Sequence, residues 1–188
     1  MNTTRNPTGE IPELEAHRKL IYMLAESQLS HALRSKMDAE DIVQETMHAA
    51  YRGFNEVRDS SNPAVVKKWL KQILCNVLTD QFRRFSADKR DINLEQSVSA
   101  NLDHSSAGVE GWIASGHTSP SMAAVRNEEL AKLADGLRQL PDDVREVVVE
   151  KHINNKSLKE IAELTGRSTA SVAGLLRRGL AKLRESFT

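Results

Sequence analysis

A chain of 188 residues has room for one ordinary domain or two small ones, and 4% aromatic content beside 28% charged residues favours helices over sheets. No apolar run nears the roughly 20 residues that cross a bilayer, and Met1 to Glu10 lacks the apolar core of a secretory signal. The lone Cys75 excludes an internal disulfide and suits a reducing cytoplasm. The 26 basic and 26 acidic side chains sum to zero, which by itself argues against a nucleic-acid binder. The distribution says more than the sum. Arg167 to Arg184 holds five basic residues and no acid, whereas acids gather at Asp38, Glu40, Asp41 and Glu45.

In chain order, Pro12 to Phe85 carries helix-spaced apolar residues with few breakers. A first helix would hold Leu14, Leu20, Ile21, Leu24 and Leu29. A second would start at Asp38, its cap, with Asp41 completing a partial capping box, and would bury Ile42, Val43, Thr46, Ala49 and Ala50. Val57 to Pro63 breaks the pattern. Ala64 to Phe85 would then form a third helix carrying Val66, Trp69, Leu70, Ile73, Val77 and Leu78. Ser86 to Ser119 is rich in Ser, Asn, Asp, Gly and His with no persistent stripe, and reads as an interdomain linker. Trp112 and Ile113 stand out in it as docking anchors. Ser119-Pro120 opens a second helical block with Met122, Val125, Leu130, Leu133 and Leu137 on its stripe. Leu140-Pro141-Asp142-Asp143 restarts a helix containing Val144, Val147, Val148 and Ile153.

The sharpest local signal lies in Asn155 to Phe187. Ser157 and Glu160 make a capping box before Leu158, Ile161, Ala162 and Leu164, and Gly166 supplies a left-handed stop. Ser168 can cap a longer basic helix to about Arg184, so the pair reads as a helix-turn-helix. The spacing predicts Val172, Leu176, Leu180, Leu183 and Phe187 on its buried face, with Ser171, Gly174 and Arg178 opposite and Ala170 and Arg177 beside them. Taken alone, the stretch also fits a solvated basic helix closing an α-hairpin.

Asp38 to Thr46 (DAEDIVQET), followed by Ala50-Tyr51-Arg52, resembles region 2 of the sigma-70 family of RNA polymerase subunits. So does the series Trp69-Leu70, Ile73, Asn76, Asp80 and Arg83-Arg84. Leu140-Pro141, Arg145-Glu146-Val147, Leu158 to Ala162, Ser171-Val172 and Lys182-Leu183-Arg184 are similar to region 4. The order of the blocks and the lack of a third domain between them match the extracytoplasmic-function (ECF) group. The resemblance implies an all-α protein of two small domains: region 2 with three or four helices over 10–85, a flexible linker over 86–118, and a region 4 helix-turn-helix over 119–188. It also implies a cytoplasmic sigma factor that directs RNA polymerase core to promoters and aids their melting. Asp41, Gln44 and Glu45, at spacings that share one helix face, would meet the basic clamp helices of the β′ subunit. Val57, Arg58, Asn76, Arg83 and Arg84 would handle the minus-ten element. Arg167, Ser168, Thr169, Ser171, Gly174, Arg177 and Arg178 would serve the minus-thirty-five element. Trp69, on the apolar stripe, is read as core, and Asp80 as a structural hydrogen bond or ion pair. Two departures bear on base contacts: Val57 stands where the family often has an aromatic, and Ala173, Gly174 and Leu175 stand where polar or basic residues are usual.

Trp112 and Ile113 would either dock on the polymerase or pack on the neighbouring helical domain. Expected partners are the polymerase core and promoter DNA, with an anti-sigma factor a candidate third and no membrane insertion. No cofactor or metal is expected. The six histidines are scattered without ligand spacing, and no phosphate loop or nucleophile motif occurs, so the chain is not read as an enzyme. The alternative, a stand-alone helix-turn-helix regulator, leaves the acidic helix and the Trp69 to Arg84 helix without a role.

Overall fold

A computed structural model describes residues 11–29, 31–34, 36–57, 59–85, 93–115 and 123–185, and every regular element among them is helical. The chain divides into two units, Met1–Gln28 with Lys36–Leu102 and Leu29–Ser35 with Asp103–Thr188. Arg58, Ser119, Pro120, Met122 and Phe187, which figure in the expectations above, lie outside the described residues.

The N-terminal unit is built on α2 (Arg18–Gln28), where Leu20 to Ser27 are all buried. A helix buried all round must be covered on several sides; here α4 (Ala39–Gly53) and α5 (Pro63–Phe85) pack on it and on each other. The helix expected from Leu14 to Leu29 is two, because the Ala16 and His17 amides bond back to Pro12 O and Leu14 O and close a short α1 (Pro12–Glu15). All five apolar residues predicted there are buried. Glu15, ion-paired to Arg18 at 2.8 Å, also accepts from the Tyr51 hydroxyl and so ties α1 to α4.

Asp38 caps α4 by accepting from the Glu40 amide at 2.8 Å. The buried face is Ile42, Val43, Thr46, Met47 and Ala50; Ala49 is half-buried at its edge. Asn62 caps α5 through the Ala64 amide at 3.1 Å with Pro63 at the first helical position, so the break foreseen at Ser-Asn-Pro is itself the cap. Leu74 and Cys75 are buried, whereas Ile73 is only half-buried. Trp69, half-buried at the edge of the core, packs its ring on Phe54 at 6.3 Å and over Gly53.

The expectation of no regular structure in Ser86 to Ser119 is corrected over residues 93–115, which form α6 (Asn93–Ser115). Its buried positions, Val98, Leu102, Ser105, Ser106 and Val109, do recur at helical spacing. Serines occupy the middle of the stripe, which hides it from an apolar-periodicity search.

The C-terminal unit contains the short α3 (His31–Arg34), then α7 (Ala123–Arg138), α8 (Asp142–His152), α9 (Leu158–Thr165) and α10 (Thr169–Glu185). Leu130, Leu133 and Leu137 of α7 are buried, as are Val144 and Val147 to Val149 of α8. α10 packs on α7, α8 and α9. The turn after α8 is held by Glu150, whose carboxylate accepts from Lys156 Nζ at 2.6 Å and Asn154 Nδ2 at 3.1 Å while Asn155 takes a positive φ of 53°.

Candidate nucleic-acid interface

Local chemistry sets the geometry of the α9–α10 pair. Ser157 Oγ accepts from the Glu160 amide at 3.3 Å and Glu160 Oε2 accepts from the Ser157 amide at 2.7 Å, the reciprocal box the sequence predicts. Hydrogen bonding of its carboxylate to the Ser157 side chain first, and to the Ser157 amide second, holds the Glu160 carboxyl below its ordinary range. Gly166 ends α9 at φ 64°, a conformation a side chain resists. The Arg167 amide returns to Ala162 O at 3.0 Å, and Ser168 Oγ accepts from the Ser171 amide at 3.2 Å. The result is a helix-turn-helix whose second helix is capped at its N-terminus by Ser168 and held near its C-terminus by Lys182 Nζ, which donates to Gln139 O at 2.9 Å.

Which face of α10 looks outward differs from the spacing argument. The buried residues are Val172, Leu175, Gly179 and Leu183, with Leu176 and Leu180 half-buried. The cause is Gly179: a β-carbon there would lie 2.6 Å from Val148 Cγ2 and 2.8 Å from Val144 Cγ1. Its absence lets α10 close on α8 and turns the seam toward 175 and 179. Leu175 is therefore core and not an anomalous residue of the outer face. At about 100° per residue, Arg177 lies roughly opposite this seam, while Ser171 and Arg178 sit on its flank. Thr169, Ser171, Arg177 and Arg178 are exposed and Gly174 half-buried. Arg167 pairs with Asp143 at 3.5 Å, a contact sequence spacing could not signal.

In the N-terminal unit, Asp41, Gln44 and Glu45 are exposed together on α4, opposite its buried face. Glu45 Oε2 accepts from Gln81 Nε2 of α5 at 2.7 Å, across 36 residues of chain. On the outer face of α5, Asn76 accepts from Gln72 at 3.2 Å, Arg83 pairs with Asp80 at 3.7 Å, and Arg84 is exposed. Val57, half-buried, ends the 3-10 turn Phe54–Glu56 with its amide on Phe54 O. These residues form no catalytic cluster; they line two helix faces of one unit, and α10 lines one face of the other.

Family models for sigma-70 region 2 and sigma-70 region 4 match residues 14–87 and 130–183, in that order and together over about two thirds of the chain. The chain belongs to the sigma-70 family. Curated relatives agree across most of their length. The RNA polymerase sigma factor CnrH of Cupriavidus metallidurans is 29% identical over 82% of this chain and 78% of the relative. The ECF RNA polymerase sigma factor SigW of Bacillus subtilis is 27% identical over 93% and 86%, and SigV of the same organism is 26% identical over 92% and 87%. This ECF-type sigma factor thus carries the region 2 match over α1 to α5 and the region 4 match from within α7 through α10. Sigma factors of this kind bind polymerase core and promoter DNA and direct the one to the other; they are not enzymes. Among the described residues of this one, no group of three or more His, Cys, Asp or Glu could hold a metal ion. No helix among them is long and apolar enough to cross a membrane.

Proposed function

We propose that the exposed Asp41, Gln44 and Glu45 face of α4 docks on the basic clamp helices of the polymerase β′ subunit. The outer face of α5, with Asn76, Arg83 and Arg84, together with Val57 and Arg58, then engages the minus-ten element. Arg167, Ser168, Thr169, Ser171, Gly174, Arg177 and Arg178 engage the minus-thirty-five element, with Arg177 foremost. The observation that carries this reading is the shared exposure of three acidic or amide side chains on one helix whose opposite face is core. An acidic face suits a basic protein partner, and Arg177 and Arg178 suit phosphate and base edges. Chemistry in initiation is left to the polymerase, so this chain acts in the cytoplasm as a non-catalytic subunit. An anti-sigma factor would act by covering one of these surfaces.

The test is pull-down of polymerase core with Asp41→Lys plus Glu45→Lys. Core binding should be lost with helicity unchanged, since both side chains are exposed. Wild-type strength in the double variant would remove the α4 face from the interface. A wild-type chain that bound promoter DNA but not core would favour a stand-alone helix-turn-helix regulator.

A further inference from the structure

The C-terminal part of α6, residues 103–115, belongs to the C-terminal unit and lies against the corner where α8 ends. Ser105 Oγ donates to Asn154 Oδ1 at 2.9 Å, and His104 Nε2 lies 3.1 Å from Asn154 O. The Trp112 ring stacks on His152, with centroids 4.6 Å apart and planes 21° from parallel. Between them the backbones nearly touch: a β-carbon on Gly108 would fall 1.9 Å from Ile153 O. Val109 is 1% exposed. Hydroxyl, glycine and indole at 105, 108 and 112 thus match one receptor surface, His152 to Asn154.

Residues 103–115 are poor helix formers on their own account, with three serines, two glycines, an aspartate and a β-branched valine among thirteen residues. A short helix of that composition does not persist in water unless a docking surface supports it. The dock also holds an unsatisfied group, His152 Nε2, which is buried without a hydrogen-bond partner. A helix that needs its dock, on a dock with one unsatisfied group, is built to come off.

We propose that residues 103–115 are a detachable arm of the C-terminal unit, held as helix on the His152–Asn154 corner and released as extended chain when the two units engage their separate promoter elements. The release rests on the functional reading above; the docking does not. As helix the segment spans about 20 Å, and extended it reaches at most about 45 Å. Docking therefore sets how much chain is available between the units.

Two glycines of the arm give the test. Gly111 has nothing within 4 Å of its missing β-carbon, whereas Gly108 meets Ile153 O. In amide hydrogen exchange on the full-length chain, Gly111→Ala should raise protection of 103–115 about fivefold through better helix propensity. Gly108→Ala, which improves propensity equally, should instead lower it about tenfold or more. Trp112→Ala removes the stack without a clash and should act like Gly108→Ala, with amides of α8 to α10 still protected. Increased protection in both glycine variants would overturn the docking. Holoenzyme carrying each variant is then assayed on promoters with graded spacing between the two elements. The undocked variants should shift the preferred spacing longer and Gly111→Ala shorter. Identical spacing profiles would overturn the release. Failure of the wild-type chain to bind core would overturn the sigma reading and leave the exchange result standing.

Discussion

Arg177 and Arg178 are adjacent, both exposed and chemically alike, yet they do not face the same way. Burial of Leu175 and the close approach of Gly179 to α8 leave Arg177 outermost and Arg178 on the flank. Arg177→Ala should therefore cost about 1–3 kcal/mol of promoter binding and more than Arg178→Ala, with a salt slope nearer the wild type in whichever variant lost a base contact and not a phosphate contact. Equal losses in a DNA-binding titration would return the recognition face to the one that apolar spacing predicts. His152 offers a second test at this scale. Burial first, and the Lys151 ammonium second, hold its imidazole below the ordinary histidine range. The folded state then binds fewer protons than the unfolded chain, so this contribution to stability is present above about pH 6.5 and is lost as pH falls through the window below. Melting between pH 7.5 and 5.5 should show that loss, and His152→Phe, which keeps a ring against Trp112, should reduce it. His17, held low by burial and then by Lys67, has the same sign and accounts for sensitivity that remains.

Among the elements, α10 shows most directly how one side chain sets a helix orientation. Glycine is a poor helix residue, costing about 1 kcal/mol relative to alanine, and α10 has it at 174 and 179. At Gly174 a β-carbon would meet nothing closer than Arg178 Nη1 at 3.9 Å, whereas at Gly179 two valine methyls of α8 stand within 3 Å. Gly174→Ala should stabilise the chain by about 0.5–1 kcal/mol. Gly179→Ala should destabilise it by about 1–3 kcal/mol, because overpacking outweighs propensity. Thermal melts with the same sign for both would contradict the helix packing described. The caps at Asp38, Ser157 and Ser168 were legible beforehand for a local reason: each acts on an amide two or three residues away. The rotation of α10 and the helicity of 93–115 were not, since both depend on residues far along the chain.

At the scale of the whole molecule, two units with separate cores should have separate stabilities. Gly179→Ala should lower exchange protection in α7 to α10 and leave the amides of α2, α4 and α5 unchanged; a uniform loss would mean one cooperative unit. The sequence by itself determined the all-α class, the two blocks and their order, most of the core residues, and the exposed acidic face of α4. Those follow from helical periodicity, capping and turn chemistry, which act within about four residues. Only the tertiary structure decided that Leu175 faces the core, that Gln81 bonds Glu45, that Arg167 pairs with Asp143, and that Trp112 rests on His152. Each of these joins residues separated by 24 to 40 positions or turns on the fit of one helix against another, and no local pattern encodes which side chain will be small enough to let two backbones meet.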